Sequence, residues 1–229
     1  MSSDELKLIG AYGSPYSRKM RAALRYRRIP FRWVLRASPE AADAPPVPVA
    51  LIPVLVIPGA GGAAPSAMVD STFQIRRLES MHRERSIVPP DPALAFLDAL
   101  LEDYADEWLT KAMFHYRWAY PADAEKASRV LPLDIGFDMP PSQYEKLARA
   151  FAERQIGRLG VVGSSAATRG VIEASYRRLL ELLAAHLVER TFVFGSRPAS
   201  ADFGLYGQLT QLATSIPRRP RSPRRSRRA

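Results

Sequence analysis

Apolar residues follow two different rhythms along this chain. Over residues 6 to 12 (LKLIGAY) they run almost continuously, with partial alternation, until Gly13-Ser14-Pro15 interrupts them. That is a strand followed by a turn. From 15 to 28, Tyr16, Met20 and Ala23/Leu24 recur at helical spacing, while Arg18, Lys19, Arg21, Arg25 and Arg28 take other faces. Ile29-Pro30 ends the helix and FRWVL (31 to 35) resumes a strand. A strand, a helix and a strand of these lengths predict a parallel pair joined by a crossover. The proline-bearing stretch 36 to 50 has no clear period. LIPVLVIPG (51 to 59) and Ala67-Met68-Val69 predict two more strands, and Ser71 opens a helix carrying Phe73, Ile75, Leu78 and Met81. The order up to that helix is βαβ followed by ββα.

The proline-rich segment 85 to 92 (RSIVPPDP) marks a boundary between an α/β unit over 1–84 and a second unit over 93–214. Helical periods dominate the second unit. Leu94, Leu97, Leu101, Tyr104 and Trp108 form one stripe of a helix expected over 93 to 119, and that stripe wants a partner. Further helices are expected over 142 to 159, over 168 to 190 with Ile172, Tyr176, Leu179, Leu183 and Leu187, and from about Ser200.

Composition narrows the function classes. With 47% apolar and 24% charged residues the chain can build a core. No apolar run reaches membrane-span length and the start lacks an export leader, so a soluble cytoplasmic protein without a membrane partner is expected. Cysteine is absent, which excludes disulfides, thiolate metal sites and redox chemistry on the protein's own sulfur. His82, His115 and His186 show no metal-ligand spacing with nearby carboxylates, and no metal is expected. The formal charge is +10, but seven arginines lie between 218 and 228, and setting them aside leaves +3. The segment 215–229 (SIPRRPRSPRRSRRA) reads as a disordered basic tail. It suits either an arm for an anionic surface or a shifted reading frame in a GC-rich coding context, and the second reading is preferred, so nucleic acid is not an expected partner.

Three local motifs carry a resemblance. Ser14-Pro15-Tyr16-Ser17-Arg18-Lys19-Met20-Arg21-Ala22-Ala23-Leu24 resembles the S-P-[FY]-x-x-[RK]-x-R-x-A-L run of the serine-type glutathione transferases, tau and more loosely zeta. Leu51-Ile52-Pro53-Val54-Leu55 resembles the segment whose proline is cis in that family. Asp70-Ser71 matches its acidic-Ser pair at the start of the third helix. The resemblance spans roughly residues 6 to 214. It implies a thioredoxin-like N-terminal domain that binds glutathione as co-substrate, an all-helical C-terminal domain for a small electrophile, and a homodimer. Carried over by position, Ser14 would donate to the glutathione sulfur and favour the nucleophilic thiolate. Ile52, before Pro53, would offer its backbone N–H and C=O to the cysteinyl unit, and Asp70 with Ser71 would hold the γ-glutamyl group. Trp108, Lys111 and His115 fall where the family's long helix passes the cleft, and are candidates for the second-substrate site.

Each of these residues also suits a plainer role. Ser14-Pro15 is a good N-cap with proline at the first helical position. Pro53 fits a strand with an ordinary trans proline. Ser71-Thr72-Phe73-Gln74 reads as a capping box with Ser71 at the N-cap. Aromatics at helical spacing are commonly core. Tau-type members carry a lysine where this chain has Leu51, which motivates a second reading: a non-catalytic protein of the same fold that binds a ligand or partner. Arg197-Pro198-Ala199-Ser200-Ala201-Asp202 resembles a helix-start capping motif, with Asp202 in a structural role.

Overall fold

The computed structural model describes residues 5–135 and 138–214; the basic tail at 215–229 lies outside the described residues. The first half runs β1 (Leu6–Gly10), α1 (Pro15–Tyr26), β2 (Phe31–Leu35), α2 (Pro39–Ala42), β3 (Val54–Ile57), β4 (Ser66–Met68) and α3 (Ser71–Met81). The sheet order is β2-β1-β3-β4. β1 and β2 pair in parallel with Leu6 opposite Phe31, and β3 runs antiparallel to both β1 and β4. Leu6, Leu8, Leu55 and Ile57 pack with Met20 and Leu24 of α1 and Ile75 and Leu78 of α3. Ile9, Val34 and Val56 form a separate cluster with Ala41 and Ala44. Apolar clusters on both faces explain why β1 and β3 read as nearly continuous apolar runs. This is the expected thioredoxin-like arrangement. β3 is shorter than the expected 51 to 59, ending inside Pro53 and Pro58, neither of which can donate a ladder hydrogen bond.

The second half is helical: α4 (Pro92–Asp103), a π turn (Tyr104–Leu109), α5 (Thr110–Trp118), α6 (Pro121–Val130), α7 (Pro141–Ile156), α8 (Arg169–His186) and α9 (Ser200–Thr214). The helix expected over 93 to 119 is observed without a break over Pro92–Trp118, with a π-helical stretch at Tyr104–Leu109 between α4 and α5. α6 gave little sequence signal because its buried positions are only Ala124 and Ala127. One core joins Leu109, Ala112, Met113, Leu205 and Leu212 with Ile172, Tyr176, Leu179 and Leu183 of α8. Another joins Trp118, Ala124 and Ala127 with Phe114, Leu131 and Phe151.

α9 ties the two halves together. Phe203 enters the core of the α/β domain. A Cβ at Gly207 would sit 2.5 Å from the Pro15 carbonyl oxygen, so glycine permits α9 to lie directly on the first turn of α1.

Of the stripe Leu94, Leu97, Leu101, Tyr104 and Trp108, Tyr104 packs against this core while Leu94, Leu97 and Trp108 face away from it. Trp108 is 63% exposed, and Leu94, Leu97 and neighbouring Phe96 and Leu100 are exposed too. The inward face carries Asp98, Glu102, Ala105, Asp106 and Leu109 instead. The polarity of α4 is thus inverted relative to an ordinary amphipathic helix, and the reason lies in what its acids touch.

Candidate functional site

Ser14 caps α1. Its Oγ accepts the backbone N–H of Ser17 at 3.2 Å, and Pro15 occupies the first helical position. The capping oxygen is an acceptor in this bond, and among the described residues nothing takes the proton of the Ser14 hydroxyl. The loop before it is fixed by the helical domain. Gln211 Nε2 donates to Tyr12 O at 2.9 Å, Arg117 Nη1 donates to Gly13 O at 3.1 Å, and Asp134 Oδ2 accepts the Tyr12 N–H at 2.6 Å.

The Ile52–Pro53 peptide is cis. The Gln74 side-chain amide steadies it, donating to Pro53 O at 2.7 Å and to Met68 O at 2.9 Å. No described residue takes the backbone N–H or C=O of Ile52. Ser14 and Ile52 line the same cavity of about 500 Å³, together with Phe114, Arg117, Trp118 and Phe151 from the helical domain.

Asp70, and not Ser71, is the N-cap of α3. Its Oδ1 accepts the N–H of Thr72 at 2.9 Å and of Phe73 at 3.4 Å, and its φ is +72°, a left-handed conformation that a non-glycine residue holds under strain. This displaces the capping box expected at Ser71. With Gln74 moved one position further into the helix, its amide is free to serve Pro53 instead of reaching back. Asp70 Oδ2 has no described partner.

Ser71 is buried against a charge cluster that sequence reasoning missed. Lys19, 1% exposed, donates from Nζ to Ser71 Oγ at 3.0 Å, to Glu102 Oε1 at 2.6 Å and to Asp106 Oδ2 at 2.5 Å. Thr72 Oγ1 donates to Glu102 Oε1 at 3.0 Å. Asp98 extends the cluster to α9, where Oδ2 accepts the Ser200 hydroxyl at 2.6 Å and Oδ1 the Ala201 N–H at 2.8 Å. Burial pushes the Asp106 and Asp98 carboxyls above their ordinary range, opposed by Lys19 in the first case and by the Ser200 and Ala201 bonds in the second. The only sequence signal was a run of acids at i, i+4 and i+8 along α4 and the π turn, opposite the leucines of α4. Asp202 has the structural role expected of it, accepting from Ala199 N at 2.9 Å and Val193 N at 3.0 Å.

Tyr16 belongs to the same junction. Its hydroxyl donates to the Asp106 carbonyl in the π turn at 2.8 Å, and burial pushes its pKa up to about 12, so the phenol stays protonated.

The three second-substrate candidates are not brought together at the cavity. Trp108 lies on the exposed stripe with Lys111 Nζ 5.5 Å from its ring centre. His115 is 1% exposed, in contact with Ser164 Oγ at 2.8 Å and Glu173 Oε1 at 3.3 Å. The residues of that stretch which reach the cavity are Phe114, Arg117 and Trp118. Successive helical residues differ by about 100° in direction, so the π turn and a one-position change are enough to exchange core for cleft. Among the described residues no group of three or more His, Asp or Glu side chains is placed to hold a metal ion. Nor is any described helix long and apolar enough to cross a membrane.

Comparison with known proteins agrees with this architecture. Residues 8–86 match the family model described as glutathione S-transferase, N-terminal domain. Among solved structures, a glutathione S-transferase from Rhodospirillum rubrum F11 superposes with a TM-score of 0.55 at 19% identity, over 93% of this chain and 81% of that one. A glutathione S-transferase from Methylobacillus flagellatus, determined with glutathione bound, gives 0.52 at 20% identity over 92% and 84%. The Tau-class glutathione S-transferase of mango, Mangifera indica, gives 0.51 at 18% identity over 93% and 78%. No curated protein matches the sequence. Residues 8–86 thus match a glutathione S-transferase N-terminal domain, and the chain as a whole shares the two-domain fold of those structures.

Proposed function

We propose that the chain is a glutathione transferase that binds glutathione along Ile52, Pro53, Asp70 and Ser71, and uses Ser14 to favour its thiolate. One observation carries the reading: Ser14 and Ile52 line one cavity, whose other wall comes from the helical domain. The N–H and C=O of Ile52, which no described residue takes, are open to pair with the cysteinyl unit of a peptide ligand. Asp70 Oδ2 suits the γ-glutamyl ammonium. The N-terminus of α3, with Lys19 behind Ser71, suits the carboxylate. The Ser71 hydroxyl lies 3.4 Å from Asp106 Oδ2, a weak bond that a ligand carboxylate can replace.

In this reading the bound thiol releases its proton to solvent and Ser14 donates a hydrogen bond to the resulting sulfur anion. The anion forms a carbon–sulfur bond with the electrophile. A leaving group departs with the electron pair, or a proton completes an addition. Ser14 lowers the thiol pKa and the cavity walls position the electrophile. Glutathione as the thiol fits a cytosolic working place. The stripe bearing Phe96, Leu97, Leu100 and Trp108 supplies the contact for a homodimer.

Titration calorimetry of glutathione into wild type and Ser71→Ala tests the site. The reading predicts binding at millimolar affinity or better, weakened by the substitution. No heat from folded protein would end it. Leu51, exposed where tau-type members have lysine, favours one second reading, a ligand-binding protein without turnover. Glutathione binding without conversion of any electrophile in a broad panel would select that reading.

A further inference from the structure

The cavity beside Ser14 holds more positive charge than thiolate stabilisation uses. Its charged lining is Arg36, Arg117 and Arg154 against Asp134, and the Asp134 carboxylate is already engaged by the Tyr12 N–H. Arg117 is 6% exposed and donates to two neutral acceptors, Gly13 O and Gln211 Oε1. No described carboxylate pairs with it. Burial lowers its pKa to about 10, which leaves it cationic at neutral pH. A buried cation without a counter-ion is costly unless an anion arrives to share the site. A guanidinium is a planar, multi-donor partner for a carboxylate. Phe114, Trp118, Leu131, Ile135 and Phe151 supply apolar wall, with Ser14 and Gln155 as neutral polar groups.

We propose that the second-substrate part of this cleft selects anionic electrophiles, with an apolar body against Phe114 and Trp118 and a carboxylate on Arg117, and with Arg154 at the mouth. The location of the reacting sulfur rests on the glutathione reading above; the anion preference does not. Glutathione's glycyl carboxylate is the other source of the same chemistry, so the test separates the two.

The probes are para-nitrobenzoate and nitrobenzene, a pair that shares the nitrophenyl body and differs by one carboxylate. Each is titrated into wild type, Arg117→Gln and Arg154→Gln with and without saturating glutathione, read by tryptophan quenching, since Trp118 is a wall. Glutathione affinity of the same proteins is measured by calorimetry. Wild type is expected to prefer the benzoate by about tenfold, the scale of one charge-assisted hydrogen bond set. The preference should fall by about threefold in Arg154→Gln and vanish in Arg117→Gln, with glutathione affinity changed less than about twofold. Equal affinity of wild type for both probes overturns the proposal. So does a loss of glutathione affinity in place of benzoate affinity, which would assign the arginines to the thiol substrate. Arg154 is exposed and has no described partner, so Arg154→Gln carries the test even where Arg117→Gln unfolds. A protein that binds no glutathione defeats the proposed function, while the benzoate-to-nitrobenzene ratio still decides the anion site.

Discussion

Lys19 Nζ lies 2.5 Å from Asp106 Oδ2, a buried ion pair that joins the first helix of the α/β domain to the π turn of the helical domain. Glu102 shares the same ammonium at 2.6 Å. Removing the cation leaves two carboxylates in a poorly solvated junction. Lys19→Met is therefore expected to destabilise the protein by about 3–5 kcal/mol. Lys19→Met combined with Glu102→Gln and Asp106→Asn should recover part of that loss, because the uncompensated charges are gone. Urea denaturation of the three proteins checks this. A loss in the single variant below about 1 kcal/mol would show that water already solvates the pair.

Asp98 performs from α4 the capping that Ala199 cannot perform at the start of α9. Asp98→Ala should cost about 1–2 kcal/mol, the range for a lost N-cap. The pH dependence has a definite sign. Because burial raises the folded-state pKa of Asp98 above the ordinary 3.8, the folded protein binds more protons than the unfolded chain between those two values. This contribution to stability therefore falls as pH rises through that window, and levels off above it. Asp98→Asn removes the titration while keeping the side chain's shape. Denaturation midpoints across the acid range should decline less steeply with rising pH in Asp98→Asn than in wild type. An unchanged slope would locate the titration elsewhere, with Asp106 the next group to replace.

The α/β half was legible because its chemistry is local. Alternation in β1, the Ile29-Pro30 stop and the Ser14-Pro15 start each depend on neighbours in sequence, and strand β2 falls at the expected residues. Ser14 and Ile52 likewise sit on short motifs, and they meet at one cavity. What was hidden depends on distant partners. The leucine stripe of α4 looked like a core face because acids normally face water, and nothing near Asp98, Glu102 or Asp106 announces Lys19 or the N-terminus of α9. A lysine among four basic residues on α1 likewise gives no local sign that it alone is buried. The π turn, which lies just before the stretch holding His115 and Arg117, has no residue signature in Tyr104–Leu109 at all.

Ser14→Ala tests the thiolate role and must be separated from its cap. Losing the cap alone costs about 1 kcal/mol of stability. Losing a hydrogen bond to developing or full negative charge on sulfur should lower kcat/KM about 100-fold. It should also move the acid limb of the pH–rate profile upward, since less of the bound thiol is ionised at a given pH. Ser14→Thr keeps the hydroxyl and should restore most activity; Ser14→Asp keeps a capping acceptor without a donor and should not. Equal activity of the Thr and Asp variants would reduce Ser14 to a helix cap.

Assembly can be read from the inverted polarity of α4. Its inward face is committed to Lys19, Thr72, Ser200 and Ala201, so rotating the helix to hide its leucines would strand the acids. Phe96 is 67% exposed, and Leu97, Leu100 and Trp108 are exposed with it. Apolar surface of this kind on a helix that cannot turn is where the proposed homodimer would place a second copy. If a second copy is the cover, Leu100→Glu places a charge in the contact and should yield a monomer by light scattering while its circular dichroism stays that of wild type. Phe96→Ala should weaken association by about 2 kcal/mol or more, as an aromatic anchor does. The Lys19 variants should weaken it as well, since they loosen the register that presents the stripe. A wild-type protein that is monomeric at all concentrations, with Phe96 and Leu100 freely tolerant of charge, would leave the stripe as bare surface and remove the homodimer from the proposed function.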